Sequence, residues 1–319
     1  MPGEPMDNLT HSLIGAALGQ AGLKRKTGLA MPALILGANL PDIDAGCVVY
    51  GIESLAMRRG ITHGPIAVVV LPLLLAGALW WFDRWQEGRG KRPEGRQPVH
   101  FGRLLGLSFI ACLTHPLFDW FNNYGIRLLE PFSSQWFYGD TLFIIDPWII
   151  AMLGVGIWLS LRRERVGKVS WTRPARTAGL ATVGYVLMNV TISNAAVVGW
   201  YHAPSTRVAN AIPGAFWQRE VLWRDGEMAL FRPPERFGTW QSTLFGRDIV
   251  HVTHLGLTNM TDPRIAEWSK HDPAAQAFLF WSRMPVAELH PDRIVLRDQR
   301  FMDPRVARNF SVTLRPPAK

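Results

Sequence analysis

The chain has 319 residues, of which 48% are hydrophobic and only 18% charged, below the ~25% charged residues usual for soluble domains. Its net charge of +9 raises nucleic acid as a partner. However, the basic excess of the first half sits in three short clusters between apolar runs, where membrane orientation explains it, so no nucleic-acid binding is expected. Cys47 and Cys112 are the only cysteines, which excludes a disulfide framework and a thiolate-rich metal site.

In chain order, residues 9–23 and 29–50 are short or glycine-rich apolar segments. They either span a membrane or form buried or re-entrant helices. Residues 65–82, 104–121, 143–161 and 177–199 are clearer candidates, each close to the ~20 apolar residues that a bilayer requires. The pattern predicts an all-α polytopic membrane helix bundle of about six spans over residues 1–199. No basic stretch leads into a cleavable apolar core at the N-terminus, so no signal peptide is expected. Residues 200–319 are polar, Arg-rich and broken by proline, with strand-like stretches "EMALFRP", "QAFLFWSRMPVAEL", "DRIVLRDQRF" and "NFSVTL". They predict a small β-rich soluble domain.

Basic residues orient the spans. Lys24, Arg25 and Lys26 separate the first two segments, and Arg84, Arg89, Lys91, Arg92, Arg96 and Arg103 the third and fourth. Arg162, Arg163, Arg165, Lys168, Arg173 and Arg176 separate the fifth and sixth. The other connections hold only Arg58, Arg59 and Arg127. By the positive-inside rule the basic connections are cytoplasmic, and the C-terminal domain is extracytoplasmic.

That topology gathers the ionisable residues of the apolar segments. His11, Asp42, Asp44, His63, His115, Asp119, Asp140 and Asp146 all fall at the outer ends of their segments. In "LTHPLFDWFNN" the four-residue spacing of His115 and Asp119 puts both side chains on one helical face. Intramembrane acids and imidazoles are costly and persist when paired or when they do chemistry. Taken singly, His115 and Asp119 could be a hydrogen-bonded pair locking helices. His63, Asp42, Asp44 and Asp146 could likewise be helix caps, and Arg58 and Arg59 interfacial anchors. Taken together, they form a nitrogen/oxygen set that suits Zn²⁺, or Mn²⁺ where carboxylates dominate. The surplus over one ion's needs suggests two ions. His202, His251, His254, His271 and His290 have no helical pairing and are not assigned.

With these residues assembled, the chain resembles the bacterial membrane-bound metal-dependent hydrolase family, the YdjM/YbcI-like proteins. The motifs are "MDNLTHSLIGAALG" at 6–19, "PDID" at 41–44, "RRGITHG" at 58–64, "LTHPLFDWFNNYG" at 113–125 and "EPFSSQWFYGDTLFIIDP" at 130–147. The resemblance implies a bacterial inner-membrane protein and a start at Met6. The order of His, Asp, His and HxxxD is also similar to the secreted zinc-dependent phospholipase C group. Carried over, that likeness implies that Asp44 or Asp42, His63, His115 and Asp119 hold one metal, and that His11 holds a second bridged by Asp119.

The expectation is a hydrolase of phosphoester or phospholipid-type substrates at the outer membrane face. Asp42 or Asp140 would orient the attacking water or take its proton, and Arg58 and Arg59 would bind phosphate oxygens. The alternative is a non-catalytic membrane scaffold or regulator with a structural metal. Metal transport fits poorly, because the charged groups cluster at one face.

Overall fold

A computed structural model of the chain describes residues 8–198, 207–232, 253–303 and 306–317. Met6, His202 and His251 lie outside the described residues. The chain divides into two compact units. One comprises Pro5–Asp44 and Arg59–Met188, and the other comprises Ala45–Arg58 and the chain from Asn189 on.

The helices before the sheets are α1 (Asn8–Gln20), α2 (Ala30–Asn39), α3 (Ser54–Met57), α4 (Pro65–Gly88), α5 (Phe101–Phe121), α6 (Pro147–Arg165) and α7 (Arg173–Val198). Pro65 and Pro147 open α4 and α6, where their missing N–H costs no hydrogen bond. Asp146 caps α6 by accepting from Trp148 N at 2.9 Å and Ile149 N at 3.1 Å. It also accepts from the Tyr185 hydroxyl at 2.9 Å. The core of this unit is a seam of small and branched residues, with Ala30, Leu34 and Ala38 of α2 against Leu107 and Ala111 of α5. Glycine permits the closest approach: a Cβ on Gly37 would stand 3.0 Å from the Ala111 Cβ and 3.1 Å from the Ser108 carbonyl oxygen. Small residues at such contacts are how helices pack where lipid removes the hydrophobic drive.

Among the described residues, four stretches are long and apolar enough to cross a membrane: Ala30–Met57, Pro65–Gly88, Phe101–Phe121 and Arg173–Val197. The expected count of about six is not confirmed. Helix α1 has 13 residues and is therefore about 20 Å long, short of the ~30 Å hydrocarbon layer. Helix α6 carries Arg162, Arg163 and Arg165 in its last turn. The predicted 29–50 helix is regular only through Asn39. It continues as 3₁₀ structure from Leu40 to Glu53, with a break at Gly51 (φ 61°, ψ −129°). Pro41 lacks the N–H that an α-helix would need there.

The three basic connections meet at one end of this unit. Lys24 pairs with Glu164, and the Arg25 guanidinium lies 4.7 Å from the Trp171 ring centroid. Arg176 Nε donates to Ala21 O at 2.8 Å. Gly28 N donates to Pro98 O at 3.2 Å, and His100 N donates to Thr27 Oγ1 at 2.7 Å.

In the other unit, β1 (Arg207–Ala211), β2 (Arg219–Asp225), β3 (Met228–Arg232) and β4 (Thr253–Leu257) form an antiparallel sheet in sequence order. Next come α8 (Pro263–Ser269), α9 (Pro273–Trp281) and a second antiparallel sheet of β5 (Pro285–Leu289), β6 (Ile294–Asp298) and β7 (Ser311–Leu314). The run "QAFLFW", expected as strand, is helical because Asp272 caps α9 by accepting from Ala275 N at 3.0 Å. Trp281, Phe301 and Phe310 stack in this core, Phe301 on Phe310 at 4.1 Å between centroids. Helix α3 packs on α9.

Candidate metal centre

Four side chains from three segments converge at the end of the helical unit away from the basic connections. His115 and Asp119 lie one turn apart on α5. His63 closes the 3₁₀ turn Ile61–His63 just before α4, and Asp42 lies in the 3₁₀ stretch that follows α2. One ligand atom from each lies within 4.8 Å of every other. Asp119 Oδ2 is 3.4 Å from His63 Nε2 and 3.4 Å from His115 Nε2. Asp42 Oδ1 is 3.5 Å from His115 Nε2 and 4.0 Å from His63 Nε2. His115 is 0%, His63 1% and Asp119 2% exposed, so these three are cut off from bulk water, while Asp42 is half-buried.

The atoms that face inward have no hydrogen-bond partner. His63 Nε2, His115 Nε2 and Asp119 Oδ2 are all buried and unsatisfied among the described residues, a condition that costs on the order of 1–3 kcal/mol per group. The outward-facing ring nitrogens are held. His115 Nδ1 stands 2.7 Å from the Ala38 carbonyl oxygen. That oxygen only accepts, so Nδ1 carries the proton and the Nε2 lone pair faces the cluster. His63 Nδ1 is 2.9 Å from Thr62 Oγ1, whose hydroxyl donates to Asp44 Oδ2 at 2.8 Å. Asp44 Oδ2 also accepts from Arg59 N at 2.8 Å. Asp44 therefore lies behind the His63 ring, 3.5 Å from Nδ1, and not among the four inward atoms.

The other oxygen of Asp119 has different company. Oδ1 is 3.0 Å from the Arg59 guanidinium and 3.5 Å from His11 Nε2. The His11 ring stacks on His115 at 3.8 Å between centroids. Arg59 itself is 5% exposed. It donates to Asn122 Oδ1 at 2.8 Å and Gly125 O at 3.4 Å, and its guanidinium carbon lies 4.6 Å from the Tyr124 ring centroid. Asp140, at φ 46°, is not one of the four clustered residues, Asp146 caps α6, and Arg58 falls in the other compact unit. Sequence reasoning missed Thr62, Asn122 and the Ala38 carbonyl. The first two stand beside flagged residues in "ITHG" and "DWFNN", but only the fold reveals what they touch.

The donor set fits an ion. Around a tetrahedral Zn²⁺ with bonds of ~2.0–2.2 Å, ligand atoms stand about 3.3–3.5 Å apart. Here, of the six inter-ligand pairs, three of the four nitrogen–oxygen pairs stand 3.4–3.5 Å apart and the fourth 4.0 Å, and all six lie within 4.8 Å. Nitrogen and oxygen donors without thiolate suit zinc or manganese.

The pattern of the family described as YdjM inner membrane protein matches residues 6–196. A curated relative, "Uncharacterized protein YfhP" of Bacillus subtilis (strain 168), is 28% identical over 167 residues, 48% of this chain and 46% of the relative. The match thus spans about half the relative's length. No solved structure matches, and the likeness to phospholipase C is not shown.

Proposed function

The chain belongs to the YdjM inner membrane protein family, and on that premise we propose that it is a metal-dependent hydrolase of phosphoester or phospholipid-type substrates, active at the extracytoplasmic face of the bacterial inner membrane. The observation that carries this reading is the convergence of three buried, unpartnered atoms, His63 Nε2, His115 Nε2 and Asp119 Oδ2, in an apolar helical unit. Asp42, His63, His115 and Asp119 would hold the ion, zinc or alternatively manganese. When bound, the ion supplies Lewis acidity and lowers the pKa of water from ~16 towards ~7.

The chain's own residues divide the remaining work. His115 and His63 are fixed in orientation by Ala38 O and by the Thr62–Asp44 pair. Asp42 is the most loosely placed of the four and the most exposed, its side chain at 8%. We assign it the role of accepting a proton from water at Oδ2, the oxygen that is not among the four inward atoms. Phosphate binding is not assigned to Arg59, because its guanidinium is occupied by Asp119, Asn122 and Gly125. An apolar groove of about 470 Å³ between α1, α5, α6 and α7 favours a lipid-type substrate. Phe118 lines both this groove and the cleft that contains His11 and Asp119.

Three features support the sidedness: the charge bias, the meeting of the basic connections at one end, and the position of the cluster at the other. A fusion-reporter map is expected to place residue 90 in the cytoplasm and residue 210 outside. Activity is tested with phosphomonoester, phosphodiester and phospholipid substrates on the purified full chain. Hydrolysis that disappears in His63→Ala supports the reading, and equal rates in both proteins refute it. Four protein donors are the complement of a closed structural site, which favours a second reading: a scaffold whose ion staples α2, α4 and α5. In that case the metal is retained but no substrate in the panel turns over.

A further inference from the structure

The sequence led to an expectation of two ions bridged by Asp119. Resting on the reading of this cluster as a metal centre, we infer that it takes a single ion, and that the Arg59 guanidinium permanently occupies the place of the second cation. A bridging carboxylate must give one oxygen to each ion. Asp119 offers Oδ2 to the His63–His115 side, but Oδ1 already receives Arg59 at 3.0 Å.

Arg59 has no freedom to withdraw. Its guanidinium bonds Asn122 and Gly125 O and lies over Tyr124. Its own N–H goes to Asp44, and its carbonyl accepts from Arg127 N at 2.9 Å. While Arg59 holds Asp119 Oδ1, a second ion there has His11 Nε2 and lacks its bridging oxygen, too few donors for zinc.

Charge agrees with geometry. With the imidazoles neutral, as ligands must be, the carboxylates of Asp42, Asp44 and Asp119 balance one divalent ion plus one guanidinium. A second divalent ion would leave two uncompensated positive charges in a buried site, which a low-dielectric interior strongly disfavours. Arg59 is thus a positioning residue: it fixes Asp119 as a one-oxygen donor. His11 packs the pair from behind and is not a ligand.

Metal analysis of the purified full chain, equilibrated with Zn²⁺ and gel-filtered, tests this. One equivalent per chain is expected in the natural protein, one in His11→Ala, and none in His115→Ala. Two equivalents in the natural protein, with a fall to one in His11→Ala, overturns the inference and leaves the metal centre standing. No bound zinc or manganese in any of them refutes the underlying reading instead. Loaded with Mn²⁺, the natural protein and Arg59→Lys are expected to give the electron paramagnetic resonance of an isolated ion. Arg59→Gln keeps a polar but shorter side chain and drops the charge, and it is expected to show the signature of a coupled ion pair at high Mn²⁺. A folded Arg59→Gln that stays uncoupled overturns the role given to Arg59. If that variant fails to fold, the stoichiometries of the natural protein and His11→Ala still decide the question.

Discussion

Two buried charged clusters in this chain look alike in composition and differ in closure. In the C-terminal unit, Asp298 and Arg300 are 0% and 2% exposed. Asp298 accepts from Arg300 Nε at 2.8 Å, from the terminal guanidinium nitrogen and Arg300 N, each at 2.9 Å, and from Ser282 and Met284 N. Both of its oxygens are engaged, and the arginine stacks on Trp281 at 5.0 Å. In the helical unit the carboxylate and two imidazoles point unsatisfied atoms at one another. The first arrangement is complete as folded. The second leaves inward atoms that a bound ion would complete. Buried charge therefore does not mark a ligand site, whereas buried charge with converging unpartnered atoms does.

The sharpest break between the two comes from truncating each. His115→Ala is expected to lose all bound metal and to reduce hydrolysis to background. Added zinc should raise the unfolding temperature of the natural protein and leave that of His115→Ala where it is, because a ligand stabilises only a fold that binds it. Asp298→Ala should do the reverse. It leaves Arg300 uncompensated in a core and costs about 3–5 kcal/mol, read by denaturant titration of the C-terminal unit's fluorescence, with the metal content unchanged. Metal lost from Asp298→Ala, or retained in full by His115→Ala, would erase the distinction.

Smaller effects sharpen it. Asp44→Asn keeps the four inward atoms but weakens the support behind His63, and a 10–100-fold loss of metal affinity is expected from competition with a chelator. Low pH separates the clusters through Asp298. Burial by itself would raise its carboxyl, but the Arg300 charge and the hydrogen bonds from Arg300 and Ser282 bring it below the ordinary 3.8. A depressed acid stabilises the folded state above its unfolded pKa, and that contribution disappears as pH falls from about 4 through the lower folded value. The C-terminal unit should thus hold constant stability from neutrality to about pH 5 and weaken below it, a loss that Asp298→Asn should flatten. The smallest expected change is Tyr185→Phe, which removes one hydrogen bond from Asp146 for about 1 kcal/mol and leaves the α6 cap and the metal content intact.

Much of this was legible from spacing and charge. The four-residue step from His115 to Asp119 is a helical property and survives in the fold. The sorting of Lys and Arg brought Asp42 and His63 to the same membrane face as that pair. What failed to show were the directions of side chains on irregular backbone. Asp42 and Asp44 are two residues apart in 3₁₀ structure, and nothing in "PDID" says which faces inward and which supports His63 from behind. Arg59 read as a phosphate binder because its partners Asn122 and Gly125 are more than sixty residues away. The span count of about six is not confirmed for a different reason. Apolar length cannot tell a crossing helix from one such as α1, which is buried against α2 and stops after 13 residues.

The carbonyl of Ala38 has a consequence beyond its single hydrogen bond. By locking His115 as one tautomer it sets the imidazole in its ligating posture before any ion arrives, and it ties that posture to the docking of α2 on α5. Uptake of the ion then requires no rearrangement of the ring, so its rate should follow entry and desolvation. A change that shifts those two helices by a fraction of an ångström would be felt as lost affinity at a residue it never touches.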